Sequence, residues 1–224
     1  MKRIVVFVEG DGEAAAAPIL VRRILTEQEA FDSVYVDSNT FIVRGLGNLA
    51  KKDFQVWRKR LAAAQKQTNL GGVLLLLDGD SDLFEGRPFC AATAARRLAE
   101  EARSVGAGST FSVACVFVRQ EYESWFVTAI EGYQNMPDGR IVTVPGELPA
   151  DPENAPRNAK AIIKRATNIG YNPAADQAAF TQQLDFELLR SAENRSFRRL
   201  EHAIAEIVQA VRSEKPISSP VSDS

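Results

Sequence analysis

The sequence predicts an α/β fold, a mostly parallel sheet flanked by helices with a C-terminal helical elaboration. Three observations predict it. Ile4-Val5-Val6-Phe7-Val8, Val73-Leu74-Leu75-Leu76-Leu77 and residues 111–118 are near-continuous apolar runs, the pattern of strands buried on both faces. Helical segments separate these runs, and alternation of strand and helix builds parallel sheets. The chain has 224 residues, 45% apolar and 25% charged, which suits one elaborated α/β domain or at most two small ones.

The elements follow in order. Gly10 and Gly12 break the first strand, and residues 13–29 read as a helix. Residues 34–36 and 40–43 are weaker strands, and 48–67 form a helix with many basic residues. After the second buried strand, residues 89–105 form an Ala-rich helix that Gly106 and Gly108 stop. Residues 121–131 form a helix carrying Trp125 and Phe126, more readily core side chains than base-stacking ones, which completes a core of residues 1–133. Pro137, Pro145, Pro149, Pro152 and Pro156 make 134–156 a connector. Helices over 157–168, 174–190 and 196–211 then pack on the core as a unit, 157–212. In the last, Phe197, Leu200, Ile204, Ile207, Val208 and Val211 recur at helical spacing as one apolar stripe, with His202 on the opposite side. The Pro- and Ser-rich stretch 213–224 reads as disordered.

Composition excludes several classes of chemistry. The net charge of −2 carries no global nucleic-acid signal, so any basic footprint is local. His202 is the single histidine, which removes His-based zinc sites and Ser-His or Cys-His triads. Cys90 and Cys115 lie in apolar settings and read as two buried reduced thiols. The N-terminal apolar run meets Glu9 after five residues, too short for a signal peptide, and no run approaches the ~20 residues of a membrane span. A cytoplasmic protein with no membrane partner is expected.

Two buried strands end in acids: Glu9-Gly10-Asp11-Gly12-Glu13 follows the first and Asp78-Gly79-Asp80-Ser81-Asp82 the second. Ligands of open parallel sheets bind outside the carboxyl ends of the strands. If the strands are neighbours, Glu9, Asp78 and Asp80 converge. Convergent carboxylates repel and favour a cation, and hard oxygen ligands without His or Cys suit Mg²⁺ or Mn²⁺. Asp78 and Asp80 would ligate the ion, Asp82 would hold a water or second ion, and Glu9 would be a ligand or general base. Glu13 could join them or simply favour the start of a helix, and Glu121 and Glu123 follow the third strand toward the same edge.

Sharper motif readings fail. Gly10-x-Gly12-x-x-Ala15 fits a permissive dinucleotide fingerprint, but Asp11 and Glu13 would repel a pyrophosphate. Asp78-x-Asp80-x-Asp82 opens like a calcium loop, yet Leu83 and Phe89 stand where glycine and glutamate are needed. No phosphate-binding Gly-x-x-x-x-Gly-Lys loop exists, and a haloacid-dehalogenase-type phosphatase leaves Glu9 without a role. Three basic groups are solvated faces or phosphate contacts: Arg157, Lys160 and Lys164 at helical spacing; Arg190, Arg195, Arg198 and Arg199; and Lys51, Lys52, Arg58, Lys59 and Arg60.

A strand ending in Glu9-Gly10-x-x-Glu13 followed by a strand ending in Asp78-x-Asp80 resembles the Toprim domain of topoisomerases, primases and overcoming-lysogenization-defect nucleases. Glu121-Tyr122-Glu123-Ser124-Trp125-Phe126, Asp151-Pro152-Glu153 with Asn158-Ala159-Lys160, and Ser196-Phe197-Arg198-Arg199-Leu200 resemble a bacterial family catalogued as a domain of unknown function. The resemblance covers nearly residues 1–212. It implies a Toprim-type Mg²⁺ (or Mn²⁺) site, phosphodiester chemistry on DNA or RNA, a defence role and an AAA-type ATPase partner. A nuclease-type lysine directly after the third strand is missing, since Arg119 precedes Glu121 there. A non-catalytic scaffold docking on the ATPase and a small phosphatase or nucleotide hydrolase remain the alternatives.

Overall fold

A computed structural model describes residues 1–133, 136–152 and 157–220. Its elements are β1 (Lys2–Val8), α1 (Asp11–Glu27), β2 (Val34–Val36), β3 (Phe41–Ile42), α2 (Leu46–Leu49), α3 (Lys51–Ala64), β4 (Leu70–Asp78), β5 (Leu83–Phe84), β6 (Arg87–Pro88), α4 (Ala91–Arg103) and β7 (Ser112–Val118). Next come α5 (Glu123–Thr128), a 3-10 turn (Ile130–Tyr133), α6 (Ala159–Ala166), α7 (Pro173–Gln183), α8 (Phe186–Ser191), α9 (Arg195–Arg212) and β8 (Ser218–Ser219). The main sheet has the order β2-β1-β4-β7-β8, with β3 beside the end of β1, and all its pairings are parallel. The predicted parallel α/β class is what the chain adopts.

Strand alternation divides the core in two. Ile4, Val6, Val8, Leu74, Leu76, Ala114 and Val116 meet α1 and the helices after β7, including Trp125, Phe180 and Leu200. Val5, Phe7, Val73, Leu75, Leu77 and Cys115 meet α3 and α4 through Trp57, Leu61 and Leu98. The stripe of α9 is buried as its spacing predicts, and full burial of a side chain such as Leu200 contributes about 1.5–3 kcal/mol. Gly72 admits this helix closely, because a Cβ there would stand 2.7 Å from Ile207 Cγ2. Trp125 and Phe126 are core, and Trp125 Nε1–H donates to Ser196 Oγ at 2.8 Å.

Three expectations need correction. The helix over 174–190 is two helices, since the Asp185 side chain accepts the N–H groups of Glu187 and Leu188 and starts α8 as its N-cap. Cys90 is exposed at the start of α4, and only Cys115 is buried. The connector keeps its loop character over 136–152, with Met136 and Val142 buried and Val142 bridging Thr167, while its Gln134, Glu153 and Pro156 lie outside the described residues. The stretch from 213 is ordered through residue 220. Ser218 and Ser219 pair with Val113 and Ala114, and Ser218 Oγ–H donates to Ala99 O at 2.6 Å. Backbone pairing at a sheet edge and satisfied hydroxyls let this polar segment be buried; residues 221–224 lie outside the described part. Among the described residues, no helix is long and apolar enough to cross a membrane.

Candidate active site

β1, β4 and β7 are adjacent and nearly level at their carboxyl ends, with Val8 opposite Leu76 and Asp78 opposite Val118. This register sets Glu9 and Asp78 at one edge of the sheet and brings Glu121 there after a short turn. Asp78 continues the row of Leu74 and Leu76, so its side chain enters the face under α5. There the Tyr122 N–H donates to Asp78 Oδ1 at 2.9 Å. The next residue must be small: a Cβ on Gly79 would stand 2.4 Å from the Val118 carbonyl oxygen. Gly79 therefore lets the end of β4 lie against β7 and carries the chain on to Asp80. Glu9 continues the row of Phe7 toward the other face. Gly45, in a left-handed conformation at φ 85°, lies beside it, and a Cβ there would be 3.0 Å from Glu9 Oε1.

α5 and α6 add the remaining groups. Glu123 is 0% exposed. Tyr171 Oη–H donates to its Oε1 at 3.0 Å, whereas the buried Oε2 has no hydrogen bond. Lys160 Nζ lies 3.8 Å from that Oε2 and 3.6 Å from Glu121 Oε1. The Lys160 N–H donates to Glu121 Oε2 at 3.3 Å, fixing the start of α6 on this edge.

The electrostatics follow from this crowding. Burial pushes the Asp78 carboxyl well above the usual carboxylate range, and Glu13, Glu123 and Glu9 add to the rise while Lys160 opposes it. Burial also raises Glu9, aided by Asp80 and Glu13 and opposed by Lys160 and the Asp78 N–H. Burial takes Glu123 to about 7, against the pull of Lys160, its own N–H and the Tyr171 hydroxyl. The Lys160 ammonium is disfavoured by burial, yet Glu123, Asp78, Glu121 and Glu13 hold it above its ordinary value.

Glu9, Asp78, Asp80, Glu121 and Glu123 thus share one edge. Other candidates separate from it. Asp82 is 89% exposed and pairs with Arg157 at 2.9 Å. Glu13 does not separate: it is buried, accepts the Gly10 N–H at 2.9 Å to cap α1, and lies close enough to raise Asp78 and Glu9. Arg198 pairs with Glu193 at 3.3 Å, and Lys164 is exposed on α6. The expected single face of Arg157, Lys160 and Lys164 is not formed, because Arg157 precedes α6 and Lys160 turns to the acids. Lys160, from α6, is the cation that meets these acids; Tyr171 and Gly45 had no signal in the local sequence.

A family model described as a domain of unknown function (DUF4276) matches residues 8–205. The chain belongs to this family. No curated protein matches it. Among solved structures, the C-terminal region of the Burkholderia pseudomallei OLD protein is similar at 18% identity, covering 93% of this chain and 99% of that one with a TM-score of 0.43.

The DUF4276 site can be tested for a divalent ion on its own donors. Among the described residues no group of three or more His, Cys, Asp or Glu side chains is arranged to hold a metal. Mg²⁺ asks for less, one or two carboxylates with waters completing the octahedron. The oxygen-only donors fit it. Burial is the main cause of the raised proton affinity of Glu9 and Asp78, and the neighbouring acids add a repulsion, offset in part by Lys160, that a cation would relieve.

Proposed function

We propose that this DUF4276 chain is a Toprim-like phosphodiesterase that uses Mg²⁺ or Mn²⁺ to cut nucleic acid, within a bacterial defence system that includes an AAA-type ATPase. The observation that carries the reading is the gathering of Glu9, Asp78 and Glu123 with Lys160 at the carboxyl edge of three adjacent parallel strands. Asp78 and Asp80 would hold the ion. The Tyr122 N–H donates to Asp78 Oδ1 and orients this carboxylate. When bound, the ion supplies a lowered water pKa and charge neutralisation at the phosphate. Glu9, whose proton affinity burial raises, is suited to take a proton from an attacking water. Lys160 offsets the buried acids in the resting site and offers its ammonium to a phosphate oxygen.

The test is calorimetric titration of Mg²⁺ and Mn²⁺ into wild type, Glu9→Ala and Asp80→Ala, followed by cleavage assays on labelled DNA and RNA. Binding that disappears in Asp80→Ala, with metal-dependent cleavage, supports the reading. A wild type that binds neither ion refutes it. One observation favours a second reading, a non-catalytic scaffold docking on the ATPase: Lys160 already stands among the acids as a built-in cation. That reading expects full function in the host from Asp78→Ala and co-purification of the ATPase.

A further inference from the structure

We infer that the groove beside the open edge of β7 is a track for single-stranded nucleic acid leading to the acidic edge; the inference rests on the proposed function and names its substrate class. β8 pairs with β7 at Val113 and Ala114, and among the described residues no strand pairs with 115–118 on that side. A cavity of about 930 Å³ lies along them, at the upper end of ligand sites of about 300–1,000 Å³. It is continuous with the acidic edge, since Gly79 and Ser81 line it.

Its chemistry is that of a strand-binding channel. Arg119, Arg157, Arg195 and Arg199 line it against one carboxylate, Asp82. Arg157 pairs with Asp82 and Arg199 with Glu206 and Ser219, Arg195 is exposed but also has a partner, and Arg119 is exposed. The floor is apolar and carries an aromatic pair, Phe89 and Phe117, with ring centroids 5.4 Å apart and an interplanar angle of 71°. Phe117 is buried and braces Phe89, which is half-buried and lines the groove. Phosphates meet arginines and unpaired bases meet aromatic faces in channels for single strands. A duplex hides its base faces, so a floor of this kind gains nothing from one. Gly79, Ser81 and Asp82 put one end of the groove beside the turn that carries Asp80.

Fluorescence anisotropy in EDTA measures this without cleavage, using labelled single-stranded DNA and RNA of about 12 nucleotides and the matching duplex. Wild type is expected to bind single strands in preference to duplex. Arg119→Ala and Arg195→Ala are each expected to weaken binding and to flatten the dependence of log affinity on log salt by about 0.7. Arg119→Lys should keep that slope. Phe89→Ala should weaken binding about 5- to 150-fold. Equal affinity for duplex, unchanged binding in the three alanine variants, or no binding by wild type at low salt overturns the inference. So does an acidic peptide that displaces the oligonucleotide from wild type and binds Phe89→Ala equally well, which marks a protein-docking groove. Because EDTA removes the ion, failure here leaves the acid site standing. Failure of the metal titration, conversely, leaves an observed strand track intact.

Discussion

Glu123→Gln tests the electrostatics of the site most directly. Glu123 is fully buried, and its carboxyl is raised from an ordinary 4.5 to about 7. A group whose proton affinity is higher in the folded state stabilises that state at low pH. The contribution is complete below about 4.5 and is lost as pH rises through about 7. At about 1.4 kcal/mol for each tenfold change in affinity, the loss amounts to about 3 kcal/mol. Glutamine keeps an oxygen for the Tyr171 hydroxyl but cannot ionise. The variant should match wild type at pH about 4 and exceed it by about 3 kcal/mol at pH about 8.5. Its neutrality also spares Asp78 one repelling charge, which acts in the same direction. Urea unfolding at a series of pH values in EDTA measures the difference. A stability difference that stays flat across this range would show that Lys160 and solvent already neutralise Glu123 and would refute the reasoning.

Three further outcomes follow from the geometry. Gly79→Ala forces a methyl toward the Val118 carbonyl oxygen and should cost about 1–3 kcal/mol, read from denaturant midpoints, with loss of any metal affinity because the link between Asp78 and Asp80 moves. Mg²⁺ at a hundred times its dissociation constant should stabilise wild type by about 2.7 kcal/mol and leave Asp80→Ala unmoved in thermal unfolding. Leu200→Ala empties a fully buried position of the α9 stripe and should cost about 2–5 kcal/mol without altering the salt dependence of oligonucleotide binding.

The three central strands were legible because each is a run of apolar residues with few interruptions, which only burial on both faces explains. Glu9, Asp78 and Asp80 were legible as edge groups for the same reason: a strand's carboxyl end is marked by where its apolar run stops. What pairs with those acids was not. Lys160 reaches Glu121 across 39 residues through the packing of α6 on α5, and no local pattern encodes that contact. Asp82 has the spacing of a ligand, yet a partner 75 residues away draws it outward. β8 was hidden by composition, since serine and proline read as loop, and its order comes from backbone pairing and from hydroxyl bonds to α4 and α9. The break between α7 and α8 turned on Asp185, a residue equally at home on a polar helix face and at an N-cap.

The placement of β8 bears on how the molecule is made. Ser218 pairs with Val113, so this border of the sheet closes only after more than a hundred intervening residues have emerged from the ribosome and folded. Until then the whole rim of β7 presents unpaired amides, a template for pairing with another nascent copy. Synthesis order therefore leaves the Val113–Ala114 rim of β7 unpaired until Ser218 and Ser219 have emerged, and chains arrested before Ser218 should be the ones that aggregate.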